Sequence, residues 1–306
     1  MPSAYRIIKE GLVLDPSDEK LQRDLKYFER KISHMEQKEN VTIQRNPAFE
    51  WTYKYEELCR NDHKKSKYKQ TKLKCYKRKT SIPYRTADVE IVNIKPEIAI
   101  FHRVISDDEI KRVKSIAKKK LKQSIVVSAD GSSMEISDMR VSESGWLADT
   151  DNELIQRLSK RIEILTGLST AILPVASHAE ELQVLNYGIG GMYEAHYDFF
   201  DETSYKWNVG KQFQDSGNRV ATWMFYLSGV KIGGATVFPR AGARVPVVKG
   251  AAAFWFNLKP SGAYDYETLH AGCPVLIGSK WVANKWTHEA AQMFRRPCNK
   301  NEYMYS

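Results

Sequence analysis

Five residues in the C-terminal half of this chain, His196, Asp198, His270, Lys280 and Trp286, have types and spacing that could do chemistry. They read as H-x-D, then a distant second histidine, then a lysine and a tryptophan. Two imidazoles and one carboxylate form the donor set that holds non-heme Fe(II) on one face and leaves the other coordination positions open for substrate and O₂. A nearby ammonium could then fix an acidic co-substrate. Zinc hydrolases use the same donors, but such a site gives the lysine no purpose.

Local context supports short strands around these residues. Met192 to Phe200 is rich in aromatics and follows Gly188-Ile189-Gly190-Gly191, which reads as a strand leaving a turn. On a strand, positions i and i+2 share a face, so His196 and Asp198 are expected to point together. The segment from Lys280 to His288 also reads as a strand, with Lys280, Val282, Asn284, Trp286 and His288 on one face.

Length and composition permit a folded enzyme. The chain has 306 residues, 42% hydrophobic and 11% aromatic, enough for one main domain and an appendage. No apolar run approaches the roughly 20 residues of a membrane-spanning helix. The first residues contain no stretch of signal-peptide length, so the chain as written predicts no secretory leader. Four cysteines, Cys59, Cys75, Cys273 and Cys298, form no C-x-x-C, which argues against a zinc knuckle. Two arrangements stay open: local pairing of Cys59 with Cys75 and of Cys273 with Cys298, or four free thiols. Asn40-Val41-Thr42 is a glycosylation sequon.

Apolar periodicity predicts helices over Ala4 to Leu14 and Leu21 to Ile32, broken at Asp15-Pro16-Ser17. This hairpin, residues 1–40, reads either as the remnant of a helical-repeat, peptide-binding domain or as a hairpin packed on the main domain. Residues 41–86 read as a basic linker. Between Trp51 and Thr80 there are 11 Lys or Arg against three acids. Such a run is expected as a solvated connector rather than a nucleic-acid grip. The main domain, 87–306, is expected to open with a capped helix from Ser106 and a second over Asn152 to Leu165, stopped at Gly167. Short strands then follow between about 180 and 290: Leu182–Tyr187, Tyr193–Phe200, Val220–Leu227, Ala235–Phe238, Ala252–Leu258, Pro274–Ile277 and Lys280–Thr287. The predicted class is α+β, a jelly-roll (double-stranded β-helix) core flanked by helices.

These residues resemble the α subunits of collagen prolyl 4-hydroxylase. The resemblance rests on Ala179-Glu180-Glu181-Leu182-Gln183-Val184 leading to Tyr187-Gly188, and on Tyr193-Glu194 before the H-x-D. It continues through Gly233-Gly234-Ala235-Thr236-Val237-Phe238-Pro239, Cys273-Pro274-Val275-Leu276 and Phe294-Arg295-Arg296-Pro297-Cys298. It implies an Fe(II) and 2-oxoglutarate dependent dioxygenase that hydroxylates peptidyl proline at C4, releasing succinate and CO₂, with L-ascorbate restoring the iron. It also implies metal ligands His196, Asp198 and His270, with Lys280 on the distal carboxylate of 2-oxoglutarate. Tyr187, Thr222 and Trp286 would line the co-substrate pocket. Tyr193, Arg219 and His288 would meet a proline-rich, collagen-like peptide. The implied partner is protein disulfide isomerase as β subunit, and the implied compartment is the endoplasmic reticulum lumen.

The chain departs from that pattern at Leu269, where the family usually has Arg, at Gly272 in place of Ala, and over Glu289 to Met293. These differences bear on peptide preference. The chain also starts inside what resembles the last helices of the family's peptide-binding domain, which implies an N-terminal truncation, and it ends without a retention tetrapeptide. The rivals are a 2-oxoglutarate hydroxylase for another peptide and a catalytically silent peptide- or partner-binding subunit.

Overall fold

The computed structural model describes residues 2–36, 50–61, 73–123, 125–127, 134–136, 142–202 and 213–299. The sequon at Asn40, the run Lys64 to Lys69, and most of the loop 201–218, which the sequence offers as a lid over the peptide, lie outside the described residues.

Helices α1 (Pro2–Leu14) and α2 (Glu19–Glu36) form the hairpin, and α3 (Glu50–Arg60) follows. Next come β1 (Cys75–Lys79), β2 (Thr86–Asn93), β3 (Ile98–His102) and helix α4 (Asp107–Lys118). Short strands β4 (Lys122–Gln123), β5 (Ile125–Val127), β6 (Met134–Ile136) and β7 (Glu143–Leu147) lead to α5 (Glu153–Thr166). The remaining strands are β8 (Leu182–Tyr187), β9 (Tyr193–His196), β10 (Arg219–Tyr226), β11 (Ile232–Gly233), β12 (Thr236–Phe238) and β13 (Ala243–Val245). They are followed by β14 (Ala252–Phe256), β15 (His270–Gly272), β16 (Val275–Ile277) and β17 (Lys280–His288).

A nine-stranded major sheet runs β1-β2-β3-β14-β10-β17-β8-β7-β4, and a four-stranded minor sheet runs β13-β12-β15-β9. Their strand pairs are antiparallel, and the two sheets make the jelly-roll core. Strand alternation sorts the side chains between two cores. From β10, Trp223 and Phe225 pack outward with Leu154, Leu158 and Ile162 of α5 and Val113 of α4. Met224 and Tyr226 point inward to Phe238, Val245 and Trp255, between the sheets.

The helices behave as their caps dictate. The Ser106 hydroxyl accepts from the Glu109 amide and the Glu109 carboxylate accepts from the Ser106 amide, closing a capping box. Gly167, at φ +81°, ends α5 in the left-handed conformation that only glycine adopts freely.

Three expectations need revision. The strand from Tyr193 stops at His196 rather than Phe200. The Asn218 side chain takes over Phe200, its Oδ1 accepting from the Phe200 amide at 2.8 Å and its Nδ2 donating to the Phe200 carbonyl at 2.7 Å. The segment 41–86 is not a bare connector, since it supplies α3 and also β1, which adds an edge strand to the major sheet. Neither reading of the cysteines holds as stated: Cys59 is bonded to Cys273, with Cα atoms 5.5 Å apart, and Cys75 and Cys298 are exposed free thiols. The physical reason is packing. Leu58 of α3 is buried with Ala235, Val237 and Ala271 on the outer face of the minor sheet, and this carries Cys59 to the end of β15.

Candidate functional site

The site lies between the sheets. His270 on β15 sits opposite His196 on β9 in the minor-sheet ladder. Asp198 follows just past the end of β9, in the turn that Asn218 clamps. The Asp198 carboxylate lies 3.8 Å from His196 Nε2 and 3.6 Å from His270 Nε2, and the three donor atoms fall within 4.8 Å of one another.

The surroundings suit a cation. His196 Nδ1 faces the Glu194 carbonyl at 2.7 Å, and His270 Nδ1 faces the Thr268 carbonyl at 3.0 Å. A carbonyl can only accept, so each Nδ1 carries a hydrogen and each Nε2 faces the centre, where its lone pair would meet a bound metal. The Thr222 hydroxyl donates to Asp198 Oδ2 at 2.7 Å, leaving Oδ1 for a metal. Burial pushes the Asp198 carboxyl up, but His270, His196, Arg219 and the Thr222 hydroxyl together hold it below the usual carboxylate value. These residues fit a non-heme Fe(II) centre.

A cavity of about 280 Å³ extends from this cluster into the core, lined by Tyr187, Tyr193, Arg219, Thr236, Lys280 and Trp286 among others. Lys280 lies opposite Tyr187 in the β17–β8 ladder and is only 3% exposed. Its ammonium donates to the Thr236 hydroxyl at 3.3 Å, and among the described residues no carboxylate pairs with it. Burial alone pushes its pKa down to about 7. A buried cation without a counter-charge is costly, and an anion in the cavity would relieve that cost. Further along the walls, Gln183 Oε1, Asn284 Oδ1, Trp255 Nε1 and Trp286 Nε1 are buried without a hydrogen-bond partner among the described residues. Buried polar atoms are rarely left this way, so the wall is built for a polar ligand.

The structure distributes the expected residues unequally. His196, Asp198, His270, Lys280, Tyr187, Tyr193, Arg219 and Trp286 all line the one cavity. Thr222 is buried behind Asp198, bonded to it and to Asn257, so it holds a ligand rather than lining the pocket. His288, expected to meet the peptide, is 0% exposed. Its ring nitrogens face the Gly217 carbonyl at 2.8 Å and Glu180 Oε1 at 3.0 Å, so it orients Glu180 instead.

Glu180 in turn pairs with Arg219, whose Nη2 donates to Oε2 at 2.9 Å. Arg219 lies over the Trp286 ring, 4.0 Å from its centroid, and over Phe200 at 4.7 Å. Burial pushes Glu180 up, yet Arg219 and His288 hold it below the ordinary value. Thr236, Glu180 and Asn257 gave no separate signal of a site role in the sequence. The first two fall inside the blocks that carry the resemblance, and partner geometry alone distinguishes them.

The chain is similar to named relatives over nearly its whole length. Prolyl 4-hydroxylase subunit alpha-1 of Homo sapiens is 41% identical over 323 residues, covering 99% of this chain and 58% of that protein. Prolyl 4-hydroxylase subunit alpha-3 of Mus musculus is 42% identical over 306 residues, covering 97% and 55%. The chain thus spans a little over half the length of the curated relatives it matches. Among solved structures, a viral collagen prolyl hydroxylase from Paramecium bursaria Chlorella virus-1, in a 2OG complex, is 26% identical with a TM-score of 0.46, covering 62% of this chain and 95% of that one. The model of the 2OG-Fe(II) oxygenase superfamily matches residues 182–288, the stretch from the start of β8 to the end of β17 that holds every cavity ligand described above. Residues 182–288 belong to the 2OG-Fe(II) oxygenase superfamily.

Proposed function

We propose that this chain catalyses 4-hydroxylation of peptidyl proline, consuming 2-oxoglutarate and O₂ and releasing succinate and CO₂. The observation that carries the reading is Lys280, a buried ammonium with no counter-charge among the described residues, lining the same cavity as a two-histidine, one-carboxylate cluster. The curated relatives are named prolyl 4-hydroxylase subunits, which supports proline as the target.

His196, Asp198 and His270 would hold Fe(II), which when bound supplies the activation of O₂ coupled to oxidation of 2-oxoglutarate. Lys280 and the Thr236 hydroxyl bind the distal carboxylate and so fix which end of the co-substrate reaches the metal. The rings of Tyr187 and Tyr226 flank the ammonium, at 5.5 and 6.0 Å, and keep water from competing for it. Thr222 holds Asp198 in place. Where the exposed Trp146 lies beside Trp286, these rings, with Tyr193 and Arg219, suit a proline-rich chain in extended form.

The substrate is a collagen-like peptide, L-ascorbate is the reductant, and protein disulfide isomerase in the endoplasmic reticulum lumen is the partner. These assignments draw on the family resemblance and on the relatives' names. Mass analysis of a (Pro-Pro-Gly) repeat peptide after incubation tests the substrate. The reading expects one added oxygen on the proline before glycine. An added oxygen on lysine peptides instead would move the chain to the other hydroxylase reading.

A further inference from the structure

The Gly188–Met192 turn joins the two walls of the cavity. It leaves β8 at Tyr187, opposite Lys280, and enters β9 at Tyr193, opposite Gly272 and three residues ahead of His196 on the same strand. Its geometry therefore sets the gap between the ammonium and the metal ligands. The turn is tied to β16, with the Gly190 amide donating to the Val275 carbonyl at 2.7 Å and the Val275 amide to the Gly191 carbonyl at 3.0 Å.

The N-terminal hairpin seats on that same turn. Ile8 and Phe28 are fully buried there with Met192, and Ile189 and Leu276 pack around them. Gly190 has φ +78°, and a Cβ at this position would lie 2.7 Å from Phe28 Cε2 and 3.0 Å from Ile8 Cδ1. The Tyr27 hydroxyl donates to Met192 Sδ at 3.9 Å. The next residue, Tyr193, stacks on the His196 ring with centroids 3.6 Å apart. An unbroken series of packed groups thus runs from α2 to a metal ligand.

We infer that the α1–α2 hairpin is a positioning element for the co-substrate, clamping the Gly188–Met192 turn so that the Lys280 wall and the His196 wall stand one 2-oxoglutarate apart. Phe28 and Tyr27 are positioning residues, acting through Met192 and Tyr193. The inference rests on the 2-oxoglutarate reading above. It also assigns a task to the helices beyond covering apolar surface: displacing the hairpin loosens co-substrate binding without touching any residue of the cavity.

The test is calorimetric titration of 2-oxoglutarate into the full chain loaded with Mn(II), alongside thermal unfolding. The variants are Gly190→Ala, Phe28→Leu, Tyr27→Phe and the double variant Gly190→Ala with Phe28→Leu. Gly190→Ala should weaken 2-oxoglutarate binding about tenfold, as small displacements of positioned groups do. Phe28→Leu, by making room for the new methyl, should recover part of that loss. Tyr27→Phe should give a smaller loss in the same direction, and it keeps the measurement available if Gly190→Ala does not fold. If the variants melt earlier yet all bind 2-oxoglutarate within about twofold of wild type, the hairpin is only a cover and the inference is overturned. If wild type itself does not bind 2-oxoglutarate, the functional reading falls first and this one with it.

Discussion

At the scale of single residues, the account turns on Lys280 and on the three metal donors. His196→Ala or Asp198→Ala should abolish turnover by removing a ligand, which metal content and succinate release would both register. Lys280→Ala should chiefly raise the 2-oxoglutarate requirement, by about a hundredfold, since truncating one partner of a buried charge pair costs several kcal/mol. Thr222→Val should keep the fold and weaken metal binding about tenfold, in the range found when a group supporting a ligand is removed.

Lys280 also fixes a pH dependence. Its pKa stands at about 7 in the folded protein, against an ordinary 10.5. The co-substrate needs the protonated form, so above pH 7 binding takes up a proton, and affinity for 2-oxoglutarate should fall by up to about tenfold per pH unit. Lys280→Arg, which stays charged, should flatten that slope even where it weakens binding. The ligand-free protein should show the opposite trend. Between pH 7 and 10.5 the unfolded chain holds a proton on this lysine that the folded chain lacks, so this group makes stability rise with pH. That contribution is greatest above 10.5 and is lost as pH falls to 7.

At the scale of elements, strand alternation made much of the site legible. The two-residue period of β17 placed Lys280, Val282, Asn284 and Trp286 on one wall, and the structure keeps them there. The same reasoning reached the right neighbours for His196 and Asp198 by the wrong route. The strand ends at His196, and a turn held by Asn218, rather than a shared strand face, brings Asp198 inward. His288 shows the limit of periodicity, since a position on the correct face can still be sealed beneath Glu180 and Arg219. The disulfide was not legible because local spacing says nothing about where a distant helix docks. Cys59→Ser should cost about 2–4 kcal/mol, the usual range for a native disulfide, as read by chemical denaturation under non-reducing conditions. Peptide mapping without reduction should recover Cys59 joined to Cys273.

At the scale of the whole molecule, two facing sheets enclose a cavity lined by both the two-histidine, one-carboxylate cluster and a buried ammonium. The helices α4 and α5 back the major sheet, and α3 is bonded to the minor one. Among the described residues no helix is long and apolar enough to cross a membrane. Among the described residues of the basic stretch 51–80, none lines this cavity.

The most direct test of the central claim is succinate release by the purified chain with Fe(II), 2-oxoglutarate and ascorbate, measured with and without a (Pro-Pro-Gly) repeat peptide. The account predicts release that rises strongly with peptide, matches hydroxyproline formed, and disappears in His196→Ala. Absence of peptide-dependent release, persisting when protein disulfide isomerase is added, would contradict it and leave a subunit that binds its ligands without turning them over.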